Sequence, residues 1–129
     1  VGVRRSLHAT ASGKIFLAAM PWAEAEKILE SGCERYTDKT ITSAALMKQE
    51  IAEIRQKHYA LNIEELLPGY WVLAAPVIGR DGRTLAAISL TLSTDDFNPD
   101  QEARYSALVC EAAQKSSLQL GGRGRGLGG

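Results

Sequence analysis

Two β-prone runs joined by a short turn constrain this chain most. Tyr70-Trp71-Val72-Leu73-Ala74-Ala75-Pro76-Val77-Ile78 and Thr84-Leu85-Ala86-Ala87-Ile88-Ser89-Leu90-Thr91-Leu92 flank Gly79-Arg80-Asp81-Gly82. Asp81-Gly82 supplies the positive-φ turn of an antiparallel hairpin. A hairpin alone is marginal in water, so further elements must cover an apolar face. Side chains alternate along a strand, which puts Leu85, Ala87, Ser89 and Thr91 on one face of the second run and Thr84, Ala86, Ile88, Leu90 and Leu92 on the other. The first face starts apolar and ends in two hydroxyls, as expected where a sheet lines a small polar pocket. Plain cross-strand pairing of hydroxyls is the other reading.

The covering elements are helical. Thr10 can cap a helix that is apolar on nearly every side up to Met20, where Pro21 ends it. Pro21 opens the next helix, in which Trp22, Ala25, Ile28 and Leu29 recur at helical spacing until Gly32. After a polar loop around Tyr36 to Thr42, Ser43 or Thr42 caps a third helix over 43–57. Its stripe is Ala44, Met47, Ile51 and Ile54, extended by His58, with Glu53 and Lys57 paired outside. A short strand over 59–63 and a turn at Pro68-Gly69 precede the hairpin. Asn98-Pro99-Asp100-Gln101 combines a cap, a first-turn proline, an acid and a capping-box Gln, so a last helix runs to about Leu118. Val1 to Ser6 reads as the end of a strand. Helices followed by a hairpin and a closing helix make an α+β domain with an antiparallel sheet.

Fifteen Lys and Arg balance fifteen Asp and Glu, so a basic surface for phosphate contacts is missing. The tail over 121–129 holds six of the twelve glycines plus Arg123 and Arg125; without it the chain has thirteen basic and fifteen acidic residues, a net charge of −2. That composition predicts disorder for the tail. No apolar run reaches about eighteen residues and no signal-peptide core is present, so neither a membrane span nor secretion is expected. Cys33 and Cys110 lie far apart with no Cys or His at metal-ligand spacing, which fits a reduced, cytoplasmic protein without metal or cofactor.

Ser12-Gly13-Lys14 is not a P-loop, because the place of its first Gly holds His8 and Ile15 follows the Lys. The amides opening the Thr10 helix nevertheless suit an anion, and Lys14 one turn in opposes the helix dipole. Either an anion docks there or Lys14 reaches solvent. His8 and Ser12 suggest a base and nucleophile, but no nucleophile elbow accompanies them, so a structural His8 is preferred. Glu64 and Glu65 point to opposite faces and read as a solvated loop. Asn62 and the amides near Ala11 and Ser12 join Ser89 and Thr91 as convergent polar groups, with Val72 and Leu85 as apolar walls.

Leu7-His8-Ala9-Thr10-Ala11-Ser12-Gly13-Lys14, the segment Tyr59 to Glu65, Ala74-Ala75-Pro76-Val77, Asp81-Gly82 and Leu85-Ala86-Ala87-Ile88-Ser89-Leu90 together resemble the effector-binding domain of IclR-type bacterial transcriptional regulators. The resemblance implies a GAF-like fold that binds a small metabolite, commonly a carboxylate or aromatic acid, within a DNA-bound homodimer or tetramer. It places the ligand against Ala11 and Ser12, with Asn62, Val72, Ser89 and Thr91 as further contacts. Some relatives carry Asp where this chain has Asn62 and Cys where it has Val72, so this pocket is less negative and more apolar. Tyr70 and Trp71 add an aromatic wall, favouring a larger or aromatic acid.

Residues 1–120 thus read as the later part of an effector-binding domain. The amino-terminal winged helix-turn-helix of the resemblance has no counterpart here, so DNA contact belongs to a domain absent from this chain. The expected role is ligand sensing rather than catalysis. A ligand-free oligomerisation module and a small hydrolase using His8 and Ser12 are the alternatives.

Overall fold

The computed structural model describes residues 7–95 and 98–121. The expected strand end at Val1 to Ser6, and the tail beyond Gly121, lie outside the described residues. Helix α1 spans Ala11–Ala19, α2 Trp22–Glu30 and α3 Ala44–Lys57. Strands β1 (Ala60–Ile63), β2 (Tyr70–Ile78) and β3 (Thr84–Ser93) form one antiparallel sheet in that order. A 3-10 turn, Pro99–Gln101, then leads into α4, Glu102–Gln119.

Local chemistry sets most boundaries. Thr10 Oγ1 accepts from Gly13 N at 2.9 Å and opens α1, and Ser43 caps α3. Pro21 sits at the cap of α2, just before its first turn. Asn98 caps Asp100 N at 2.9 Å, but the turn it opens is 3-10 and the α-helix proper begins at Glu102. His58 does not extend the buried stripe of α3. It is exposed with φ 69°, ending the helix in the left-handed conformation while its N–H donates to Ile54 O at 2.7 Å.

The sheet separates two apolar layers, as the period-two pattern of β2 requires. On one side Ala60 and Ala74 pack with Ala11, Ile15 and Leu17 of α1, Ala25 and Leu29 of α2, and Met47, Ile51 and Ile54 of α3. On the other, Leu73, Ala75 and Val77 pack with Val109 and Ala113 of α4. Trp71 belongs to this second layer, so it is not an aromatic neighbour of Tyr70. Pro76 is tolerated inside a central strand because β1 pairs with β2 only as far as Ala74, leaving no ladder bond that needs the missing N–H. Two residues on, Ile78 N donates to Ser117 Oγ of α4 at 2.8 Å.

The hairpin turn carries positive φ at Gly82 alone, 83°, and closes with Gly79 N donating to Arg83 O at 2.8 Å. The pairing slips by one residue here: Ile78 faces Thr84 and Val77 faces Ala86. Leu85 is the extra residue of this bulge and is 55% exposed; it does not line the cavity between α1 and the sheet.

Candidate functional site

Three residues form one row across the sheet: Asn62 of β1 faces Val72 of β2, which faces Thr91 of β3. The first turn of α1 lies over this row. Between them is a cavity of about 350 Å³ lined by Thr10, Ala11, Ser12, Asn62, Leu66, Leu67, Tyr70, Val72 and Thr91. Five of the six expected residues, Ala11, Ser12, Asn62, Val72 and Thr91, therefore meet in one place. Ser89 does not line it. One pleat along from Thr91 and opposite Ala74, it is exposed on an edge strand, beyond which no described strand pairs.

The cavity combines apolar walls with a few polar groups, the usual make-up of a small-molecule site. Gly13 N is taken by the Thr10 side chain and Lys14 N by Thr10 O at 3.0 Å. Ala11 and Ser12 are thus the amides of the first turn left to meet a ligand. Thr91 contributes a hydroxyl and Tyr70 an aromatic ring. Asn62 is only 4% exposed and already employed: Nδ2 donates to Ala9 O, and Oδ1 accepts from Glu65 N at 2.9 Å. Its structural duty is to tie the β1–β2 connection to the start of α1.

Gly13 sits in a close approach that composition alone does not disclose. A Cβ there would overlap the backbone of Leu7 and come within 2.6 Å of Thr10 Oγ1. The segment entering α1 therefore folds directly against the helix start.

Lys14 does not reach solvent. It is fully buried, with Nζ paired to Glu50 of α3 and to Glu65 Oε1 at 2.7 Å, and donating to Leu61 O at 3.1 Å. Glu65 is correspondingly not a solvated loop residue. Burial pushes its carboxyl above the ordinary glutamate range, against the opposing pull of Lys14. Glu64 points elsewhere, accepting from Gly69 N at 2.9 Å and pairing with Lys39 at 3.0 Å, and these two contacts, the amide first, hold its carboxyl below the usual range. A lysine within an otherwise apolar run was the available signal for the buried cluster; its partners lie too far along the chain to be inferred from spacing.

His8 is 1% exposed, donates from Nε2 to Glu34 O at 2.7 Å and stacks on Tyr36, so it is a core histidine outside the cavity lining rather than a base for Ser12. Cys33 and Cys110 are free, half-buried thiols, both raised in pKa by burial. Among the described residues, no cluster of His, Cys, Asp or Glu is placed to hold a metal, and no helix is long and apolar enough to cross a membrane.

Sequence and fold comparisons converge on the same family. The family model described as bacterial transcriptional regulator IclR C-terminal matches residues 1–118. The chain is 35% identical over 95% of its length to the HTH-type transcriptional regulator BhcR of Paracoccus denitrificans, covering 44% of that protein. The crystal structure of the C-terminal domain of Escherichia coli KdgR aligns with TM-score 0.82 and 34% identity over 89% of this chain and 71% of that one. The inducer-binding domain of a double mutant of Acinetobacter PobR, in complex with 3-hydroxybenzoic acid, aligns with TM-score 0.81 and 27% identity over 86% of this chain and 65% of that one. The chain spans about half the length of the curated relatives it matches. With the mixed helical and antiparallel architecture already in place, the family match over 1–118 shows that this chain belongs to the IclR family of bacterial transcriptional regulators, whose C-terminal domain it carries.

Proposed function

We propose that this domain senses a small carboxylate, favouring an aromatic acid, in the cavity between the start of α1 and the Asn62–Val72–Thr91 row. The observation carrying this reading is the convergence of Ala11, Ser12, Asn62, Val72 and Thr91 on one cavity of about 350 Å³, a size suited to a small organic acid. The carboxylate lies on the Ala11 and Ser12 amides and takes a hydrogen bond from Thr91. Val72, Leu66, Leu67 and Tyr70 then surround its apolar part, and Ser89, outside the cavity lining, has at most a minor part. The 3-hydroxybenzoic acid complex of the double-mutant PobR inducer-binding domain supports this ligand class.

The mechanism is differential binding. The acid favours one arrangement of a cytoplasmic homodimer or tetramer, and an attached helix-turn-helix domain changes its hold on DNA. Residues 1–120 supply the sensing part, and catalysis and cofactors have no role. A thermal-shift screen of small carboxylates tests the reading, since an acid present at about a hundred times its dissociation constant stabilises the fold by about 2.7 kcal/mol. Absence of any shift across aliphatic and aromatic acids would count against sensing. Tight glyoxylate binding with none to benzoate-type acids would overturn the aromatic preference.

A further inference from the structure

Lys14 is the most costly residue in the core. A buried ammonium carries a desolvation penalty of several kcal/mol, which Glu50, Glu65 and the Leu61 carbonyl offset from three different elements. The position of this cluster is informative. Lys14 lies one turn beyond Ala11, on the helix that forms one wall of the cavity. Glu65 immediately precedes Leu66 and Leu67, which also line the cavity. Glu65 is also fixed through its backbone, donating to Asn62 Oδ1 at 2.9 Å and accepting from Thr40 Oγ1 at 2.5 Å.

Helix and connection are thus joined twice, by Asn62 to Ala9 and by Lys14 to Glu65. Stability alone does not require the second joint to be ionic, because an apolar pair of similar volume often serves as well or better. Charges supply direction instead: one Nζ aimed at three elements fixes where the connection sits along α1.

We propose that Lys14 and Glu65 are a positioning pair that holds the 62–69 connection against α1 and sets the gap between the Ala11 and Ser12 amides and Leu66 and Leu67. The pair thereby selects ligand size, a role that rests on the acid-binding reading above. Glu50, with a quarter of its side chain exposed, completes the charge balance from α3.

The test uses the full chain with Lys14→Met/Glu65→Leu, an apolar replacement, and Glu65→Gln, which keeps the shape and a hydrogen bond to Nζ. Hydrogen exchange is followed by mass spectrometry, and binding of glyoxylate and 3-hydroxybenzoate by calorimetry. In the double variant, amides over 62–69 should exchange about tenfold faster while those of β2, β3 and α4 stay unchanged. The affinity ratio of the two acids should shift by about fivefold toward the larger. Glu65→Gln should give a smaller change confined to the same segment, and it decides the matter if the double variant does not fold. Wild-type exchange over 62–69 in a folded variant, or an equal rise in every element, would overturn the positioning role. Failure of both acids to bind the wild type would count against the ligand class, while the exchange pattern still decides whether the pair holds the connection.

Discussion

Asn62 and Thr91 stand in one row of the sheet, on its two outer strands, each opposite Val72 of the strand between. Their duties differ. Asn62 is committed to Ala9 and Glu65, whereas Thr91 is exposed at the cavity.

Thr91→Val keeps the shape and removes the hydroxyl. A hydrogen bond to a charged group contributes about 1.5–3 kcal/mol, so affinity for a bound carboxylate should fall roughly tenfold or more. Ser89→Ala, outside the cavity lining, should have a much smaller effect. Calorimetric titration of both variants checks the contrast, and equal losses would mean that the ligand extends along β3.

Asn62→Ala should lower stability by about 2–4 kcal/mol, because it leaves the Ala9 carbonyl and the Glu65 amide without partners in a buried place. Urea unfolding measures the loss. A change below about 0.5 kcal/mol would show that water replaces both bonds.

Gly13→Ala offers a test in which the sign alone decides. In an ordinary helix interior this change stabilises by about 1 kcal/mol. Here the added Cβ meets the Leu7 backbone, so a loss of about 2 kcal/mol or more is expected. Thermal melting distinguishes the two.

Glu65 gives a pH dependence. Its carboxyl is held above the ordinary value of 4.5, chiefly by burial and against the pull of Lys14. The folded state therefore binds this proton more tightly than the unfolded chain does. The contribution is fullest below the unfolded value and is lost as pH rises through the folded one. Wild-type stability should thus contain a component that declines above pH 4.5, and Glu65→Gln should lack it when unfolding is compared across that window.

The elements were legible because their signals are local. Thr10, Ser43 and Asn98 are caps within hydrogen-bond reach of the turns they open, and the period-two pattern of β2 and β3 survives in their two faces. The structure departs from the pattern where a single residue disturbs that periodicity. The bulge at Leu85 moved an apolar residue out of the expected pocket wall, and the helix cap at His58 turned a stripe position outward. Trp71, next to Tyr70 in sequence, went to the opposite layer because neighbours in a strand face opposite ways.

By itself the sequence determined the α+β class, the hairpin, the caps and, through resemblance, which residues belong near one another. Tertiary structure alone decided how the polar groups are used. It brought Ala11, Ser12, Asn62, Val72 and Thr91 around one cavity, left Ser89 on an exposed strand, and buried Lys14 between Glu50 and Glu65. The reason is range. Caps and strand alternation act over a few residues, whereas the partner of a buried charge is set by whichever distant segment the packed core brings against it.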